Sequence, residues 1–304
     1  MTYSIVARDP KSGEFGVAVQ SHFFQVGPMV PWGRAGVGAV ATQADAEIRY
    51  GPLGLDLMAA GYPAGRALAA TLAADSKPET RQVAMVDRDS QVAVHTGAKC
   101  IREAGHHVGA GYSVQANMME KATVWRAMAE AFDGTSGSLA DRMMAALEAA
   151  EVEGGDIRGR QSAAMLVVDG QLHSGWWEGR LIDLRVEDHA EPLVELRRLL
   201  AVKRTYDAAG TAPAAVQRAD PQAATLTAKA LERAQDNTEL RFWLALNMAA
   251  QGDLETAVTI LRDVIRQDER WLELLRRLPP ADLLKPELLA QLEDFLKTPS
   301  SPSR

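Results

Sequence analysis

Two patterns of apolar and polar positions divide the chain. Up to about residue 207, short apolar runs alternate with turn-forming segments. Beyond it the sequence is rich in Ala, Leu, Glu and Arg at helical spacing. In the first part, residues 4–8 and 14–21 flank Asp9-Pro10-Lys11-Ser12-Gly13 and predict a hairpin. Residues 37–43 predict a third strand. Residues 81–87 and 91–96, around Arg88-Asp89-Ser90, predict a second hairpin. Strands at 107–117, 163–168 and 181–187 bring the total to eight. The runs Val37-Gly38-Ala39-Val40-Ala41 and Ala163-Ala164-Met165-Leu166-Val167-Val168 have no polar face, which implies cover on both sides. Helices are expected at 52–60 and 63–74, each opened by a proline suited to the first turn. Two more are expected at 123–132 and 139–151, the latter capped by Ser138, and a last one at 192–206. Buried strands with helices arriving in pairs predict an α+β fold, a four-layer α/β/β/α sandwich. A three-layer α/β/α sheet is the alternative. The early hairpins argue against it, because doubly wound sheets place a helix after each strand.

The second part reads as a small all-α domain. The expected division is residues 1–208, a linker at 209–214, helices over 215–297 and a disordered tail at 298–304. The linker is expected from the breaker-rich segment Asp207-Ala208-Ala209-Gly210-Thr211-Ala212-Pro213. Helical patterns cover 220–234, 238–251, 254–267, 269–277 and 283–296. Phe242-Trp243-Leu244-Ala245-Leu246 followed by Gly252-Asp253 and Ala257 resembles one tetratricopeptide-like unit. No second copy follows at a period of about 34 residues, so a true repeat array is not expected.

Composition narrows the function classes. With 33 Lys+Arg against 40 Asp+Glu the net charge is -7, which disfavours nucleic acid as a partner. The single cysteine, Cys100, rules out an internal disulfide and a cysteine-based zinc cage. No apolar run reaches the roughly 18 residues of a membrane span. The first residues carry neither a basic nor an apolar leader region, so a cytoplasmic location is expected. His106-His107 point to opposite faces of a strand and make a poor metal pair. No metal and no cofactor are expected.

The start of the chain carries the main chemical candidate. Residue two is small, so removal of Met1 is expected to expose Thr2. An N-terminal threonine joins a hydroxyl nucleophile to an α-amine of pKa about 7.7–8.0, which can act as its base near neutrality. The bland account is an ordinary cytosolic strand start.

Several blocks extend this reading. Thr2–Ala7, Gly16–Ser21, Val30-Pro31-Trp32, residues 36–43, Tyr50-Gly51-Pro52, residues 154–164 and residues 182–189 resemble the DUF1028 family over about residues 2–205. That resemblance implies the fold of the N-terminal-nucleophile (Ntn) hydrolases and, by analogy only, amide hydrolysis. It places Thr2 at the nucleophile position and the backbone after Thr42-Gln43 at the oxyanion hole. It puts Gln20 and Ser21 where proteasome-like relatives keep an acidic residue, from which Gln20 departs. The nearest cation before the third strand is Arg34, which can supply positive field but not shuttle protons. The helical region is similar to a domain often appended to this family, for which peptidoglycan binding has been suggested.

In Gly154-Gly155-Asp156-Ile157-Arg158-Gly159-Arg160-Gln161-Ser162, polar groups gather just before a buried strand. Asp156 could orient the amine, Arg160 could clamp a carboxylate, and Gln161 and Ser162 could contact substrate. A structural turn with a surface ion pair is the alternative. Ser21, Gln43 and Asn117 are further substrate-binding candidates at strand ends, and strand termination explains them equally. Asp183 and Arg185 are expected to form an internal ion pair, and Trp176-Trp177 a hairpin-tip cluster. The leading expectation is an amidohydrolase that cleaves the C–N bond of a small molecule through Thr2, Arg34 and Asp156. The competing one is a non-catalytic binding protein whose helical domain engages a protein or, less well supported, a glycan. A homo-oligomer is expected in either case.

Overall fold

The computed structural model describes residues 2–175, 177–217 and 222–297. Met1, Trp176, Asp220 and the expected tail 298–304 lie outside the described residues. The described chain holds ten strands and ten α-helices. It separates into two compact units, with the boundary between Leu200 and Ala201.

In the first unit, β1 (Thr2–Arg8), β2 (Phe15–Ser21), β7 (Gly105–Gly109), β8 (Tyr112–Asn117), β9 (Ser162–Val168) and β10 (Arg180–Val186) form one antiparallel sheet in the order β10-β9-β2-β1-β8-β7. A second antiparallel sheet orders β3 (Pro31–Arg34), β4 (Gly38–Ala44), β5 (Arg81–Asp87) and β6 (Val92–Thr96) in sequence. Strand alternation sends neighbouring residues to opposite faces. Tyr3, Ile5 and Ala7 therefore pack with α3 (Val124–Gly134), α4 (Leu139–Val152) and the start of α5 (Pro192–Gln217). Val6, Val17 and Val19 instead pack against Ala39, Ala41, Ala84 and Val86 of the second sheet. The other face of that sheet, through Val40, Val83 and Met85, is covered by α1 (Tyr50–Ala59) and α2 (Ala64–Ala73). Ser138 caps α4 in a reciprocal pair with Asp141, as its sequence predicts.

Three elements differ from expectation. The strand expected at 107–117 is a hairpin of β7 and β8, because Gly111 adopts φ +75 and lets the chain reverse. β3 is an additional strand. It forms despite Pro31 and Gly33 because all four residues pair with β4. The expected linker 209–214 is helical, since α5 continues to Gln217. Its alanines have high helix propensity, which outweighs the roughly 1 kcal/mol cost of Gly210.

Gly36 shows where the backbone leaves no choice. It sits at φ +67, and a Cβ there would lie 2.5 Å from the Leu172 nitrogen. Gly36→Ala is expected to cost about 2 kcal/mol, from left-handed strain plus the backbone clash. Urea denaturation of the full chain measures it.

The second unit contains the rest of α5, then α6 (Ala223–Arg233), α7 (Thr238–Ala250), α8 (Leu254–Gln267), α9 (Arg270–Arg277) and α10 (Pro286–Lys297). Asn237 and Asp253 cap α7 and α8 through their side chains. Phe242, Ala245, Leu261, Val264, Leu275 and Leu292 form its main core. No helix among the described residues is long and apolar enough to cross a membrane.

Candidate functional site

Thr2 opens β1 in the middle of the six-stranded sheet, paired with Ser21 on one side and Asn117 on the other. It is buried, with 4% of its surface exposed. Its Oγ1 donates to Ser21 Oγ at 3.0 Å. Asn117 Nδ2 lies 3.4 Å and Gln43 Nε2 3.2 Å from its carbonyl oxygen. The strand ends thus bring together four residues singled out by sequence: Thr2, Ser21, Gln43 and Asn117.

Behind Thr2 the space between the sheets is polar and neutral. Ser4 Oγ donates to Gln43 Oε1 at 2.6 Å, and Gln115 Nε2 donates to Ser4 Oγ at 2.6 Å. Gln82 Oε1 receives both Gln43 Nε2 and Asn117 Nδ2, each at 2.8 Å. Gln82 Nε2 reaches Thr96 Oγ1 at 3.0 Å and the Ala116 carbonyl at 2.9 Å. Thr96 Oγ1 in turn meets His106 Nδ1 at 2.9 Å. Burial, then the neighbouring His95 and His107, lower the His106 pKa. Asn117 Oδ1 is buried without a partner.

Gln82 is not among the residues the sequence singles out, although its side chain bonds to β4, β6, β7 and β8. Its only sequence signal is a polar residue in an apolar run. Gln82→Leu keeps the approximate shape and removes the shared acceptor. With Asn117 Nδ2 and Gln43 Nε2 each losing a partner, the expected loss is about 2–3 kcal/mol, read from a urea titration.

The 154–162 segment divides into three roles. The Asp156 carboxylate is fully buried. It accepts Arg158 Nη2 at 2.8 Å, Arg158 Nε at 3.0 Å and the His22 amide at 3.3 Å. His22 follows Ser21 directly, so Asp156 braces the neighbour of the Thr2 partner. The Gln161 amide donates to the Ser21 carbonyl at 3.2 Å, while its side chain donates to Asp188. Arg160 lies apart from these. It pairs with Glu151 at 2.8 Å and with Glu191. Glu151 accepts the Tyr3 hydroxyl at 2.5 Å. Burial, and then this carboxylate, push the Tyr3 phenol well above its ordinary pKa. Ser162 Oγ donates to the Phe23 carbonyl and accepts the Val26 amide, which pins the loop after β2.

Arg34 does not join the site. It pairs with Gly38 at one end of β4, while Gln43 lies near the other. Five residues at about 3.3 Å each separate those positions by roughly 16 Å. Arg34 instead pairs with Asp56 at 3.4 Å on the surface. The expectation fails because β3 turns back along β4 and carries Arg34 away from Thr2. Gln20 also points elsewhere. It pairs with Tyr3 across the strands, on the helix-covered face, and alternation turns it from the Thr2 hydroxyl. Asp183 and Arg185 pair at 3.0 Å, but partly exposed rather than internally. Trp177 is exposed. Among the described residues, no group of three or more His, Cys, Asp or Glu side chains could hold a metal ion.

A family model described as "Family of unknown function (DUF1028)" matches residues 2–196. The chain belongs to the DUF1028 family. It is similar to the crystal structure of protein SPO2555 from Silicibacter pomeroyi, also described as DUF1028. The identity is 31%, over 66% of this chain and 84% of that one, with a TM-score of 0.59. No curated protein matches it.

Proposed function

We propose that the first unit is an α/β/β/α sandwich of the Ntn-hydrolase type, and that it hydrolyses an amide bond of a small molecule with Thr2 as nucleophile once Met1 is removed. The observation that carries this reading is the Thr2–Ser21 hydroxyl pair at the converging ends of β1, β2 and β8. The free amine takes the hydroxyl proton as Oγ1 attacks the substrate carbonyl. The proton passes to the leaving nitrogen, the C–N bond breaks, and water releases the acid from the acyl-enzyme.

The surroundings support the amine as a base without a lysine. Ser21, Gln43 and Asn117, the groups bonded to Thr2, are all neutral. Burial among neutral groups disfavours the ammonium form and so lowers an amine's pKa. The Asp156 carboxylate, which would oppose this, is held by Arg158.

Intact mass and a hydroxyl-reactive β-lactone test the reading together. The expected result is a chain lacking Met1 and a single adduct on Thr2. A chain that retains Met1 and takes no adduct on Thr2 would sink the mechanism. One observation favours a second reading, a non-catalytic binding protein: the Thr2 hydroxyl is almost fully covered and already bonded. That reading predicts no adduct on a chain that has lost Met1.

A further inference from the structure

The helical unit contains a cavity of about 510 Å³ between α7, the turn before α10 and the start of α10. That volume falls in the range of about 300–1,000 Å³ that encloses organic ligands of some size, well beyond a single ion. Leu246 and Leu288 give it apolar walls, and Trp243 an aromatic one. Asn247, Asp282 and Lys285 supply its polar lining.

Some charged residues of the unit form ion pairs and others, Lys229 and Glu287 among them, form none among the described residues; the two in the cavity lining belong to the second group. Arg241 pairs with Asp263, Arg276 with Glu293, Arg277 with Glu273, and Lys297 with Asp294. Asp282 and Lys285 make no ion pair with each other, although three residues is a spacing at which such pairs form on helices. Asp282 has left helical geometry, at φ +57, just after the 3₁₀ turn Pro279–Ala281. Neither side chain, nor that of Asn247, makes a hydrogen bond or ion pair among the described residues. One free anion and one free cation therefore border a cavity with apolar walls.

We propose that this cavity binds a short apolar peptide in its zwitterionic form. Asp282 receives the terminal ammonium, Lys285 the terminal carboxylate, and the Leu246, Leu288 and Trp243 surfaces take the side chains. Asn247 serves a peptide group between the ends. A lone carboxylate would leave Asp282 unanswered, and a lone amine would leave Lys285 so.

Isothermal titration of the full chain with L-leucyl-L-leucine tests this, repeated on the Thr2→Ala protein so that hydrolysis cannot supply the heat. Saturable one-site binding is expected. Asp282→Asn and Lys285→Gln should each weaken it by about tenfold, the usual loss for a charge-assisted contact. Both are exposed conservative changes, and circular dichroism confirms that the variants stay folded. N-acetyl-leucyl-leucinamide, with both ends blocked, should bind at least tenfold more weakly than the free dipeptide, roughly in step with the variants. The proposal is overturned by the absence of saturable binding, by equal affinity for the free and blocked peptides, or by hexanoate matching the dipeptide.

Discussion

Asp75→Asn is expected to lower the stability of the first unit by about 3 kcal/mol at neutral pH, the low end for breaking a buried ion pair. Asp75 and Arg81 are 4% and 9% exposed, with Nε to Oδ2 at 2.8 Å. Asp75 also accepts the Tyr50 hydroxyl at 2.9 Å and the Lys77 amide at 2.9 Å. The low end applies because Arg81 keeps a second partner, Asp45, which is largely exposed. The hydrogen bonds from Arg81, against the opposing effect of burial, hold the Asp75 carboxyl well below the usual carboxylate range. The sign follows. A carboxyl with a depressed folded pKa contributes fully above its unfolded value of about 3.9, and the contribution is lost as pH falls through the folded value. Wild type and variant should therefore differ by a constant amount from about pH 5 to 8, and the gap should narrow progressively below about pH 4. A gap that persists into acid would mean that packing, not charge, was lost.

This ion pair also bears on the candidate site. Arg81 opens β5 opposite Ala44, and the next pair in register is Gln82 with Gln43. Ala44 is held at φ +73, an uncommon conformation for a residue with a Cβ. The Asp75–Arg81 anchor thus fixes the strand ends from which Gln43 and Gln82 reach toward Thr2. Asp75→Asn should loosen that end of the second sheet first, visible as faster amide exchange at residues 43–45 and 81–82.

Much of this architecture was legible in the chain, for identifiable reasons. Runs such as Ala163–Val168 read as buried strands, and Asp9-Pro10-Lys11-Ser12-Gly13 as a turn. Thr2, Ser21, Gln43 and Asn117 stood out as polar residues at strand ends, so the rim of the site was visible. Its partners were not. Gln82 lies 39 residues from Gln43 and 35 from Asn117 in sequence, and only the register of the two sheets brings them together. Asp75 lies just past the helix expected at 63–74, and nothing local marks Arg81 as its partner. Arg34 misled for the opposite reason. It is close to β4 in sequence, but a tight hairpin reverses direction and spends that closeness at the wrong end. The linker prediction weighed Gly210 and Pro213 as breakers and undercounted the alanines around them.

The largest effect is expected at Thr2. Thr2→Ala should reduce the rate of β-lactone labelling by about 10³-fold or more, the scale on which loss of a nucleophile registers. Thr2→Ser keeps the hydroxyl and the amine and should retain labelling, because only the γ-methyl is lost. The discriminating variant leaves Thr2 itself intact. An alanine inserted between Met1 and Thr2 caps the amine after trimming but preserves the hydroxyl and its bond to Ser21. If the amine is the base, that protein labels as poorly as Thr2→Ala, while its urea midpoint stays within the range of the other variants. If it labels like wild type, the hydroxyl is activated by another group, and Ser21, whose Oγ accepts the Thr2 proton in the resting structure, becomes the first residue to test. The pH dependence gives a second, independent reading. An amine base is active only when deprotonated, so labelling of wild type should rise with pH to a plateau. The rise should vanish in the alanine-inserted protein, whose Thr2 nitrogen is an amide without a titratable proton. A pH profile that survives the insertion unchanged would place the titrating group elsewhere and remove the N-terminal amine from the mechanism.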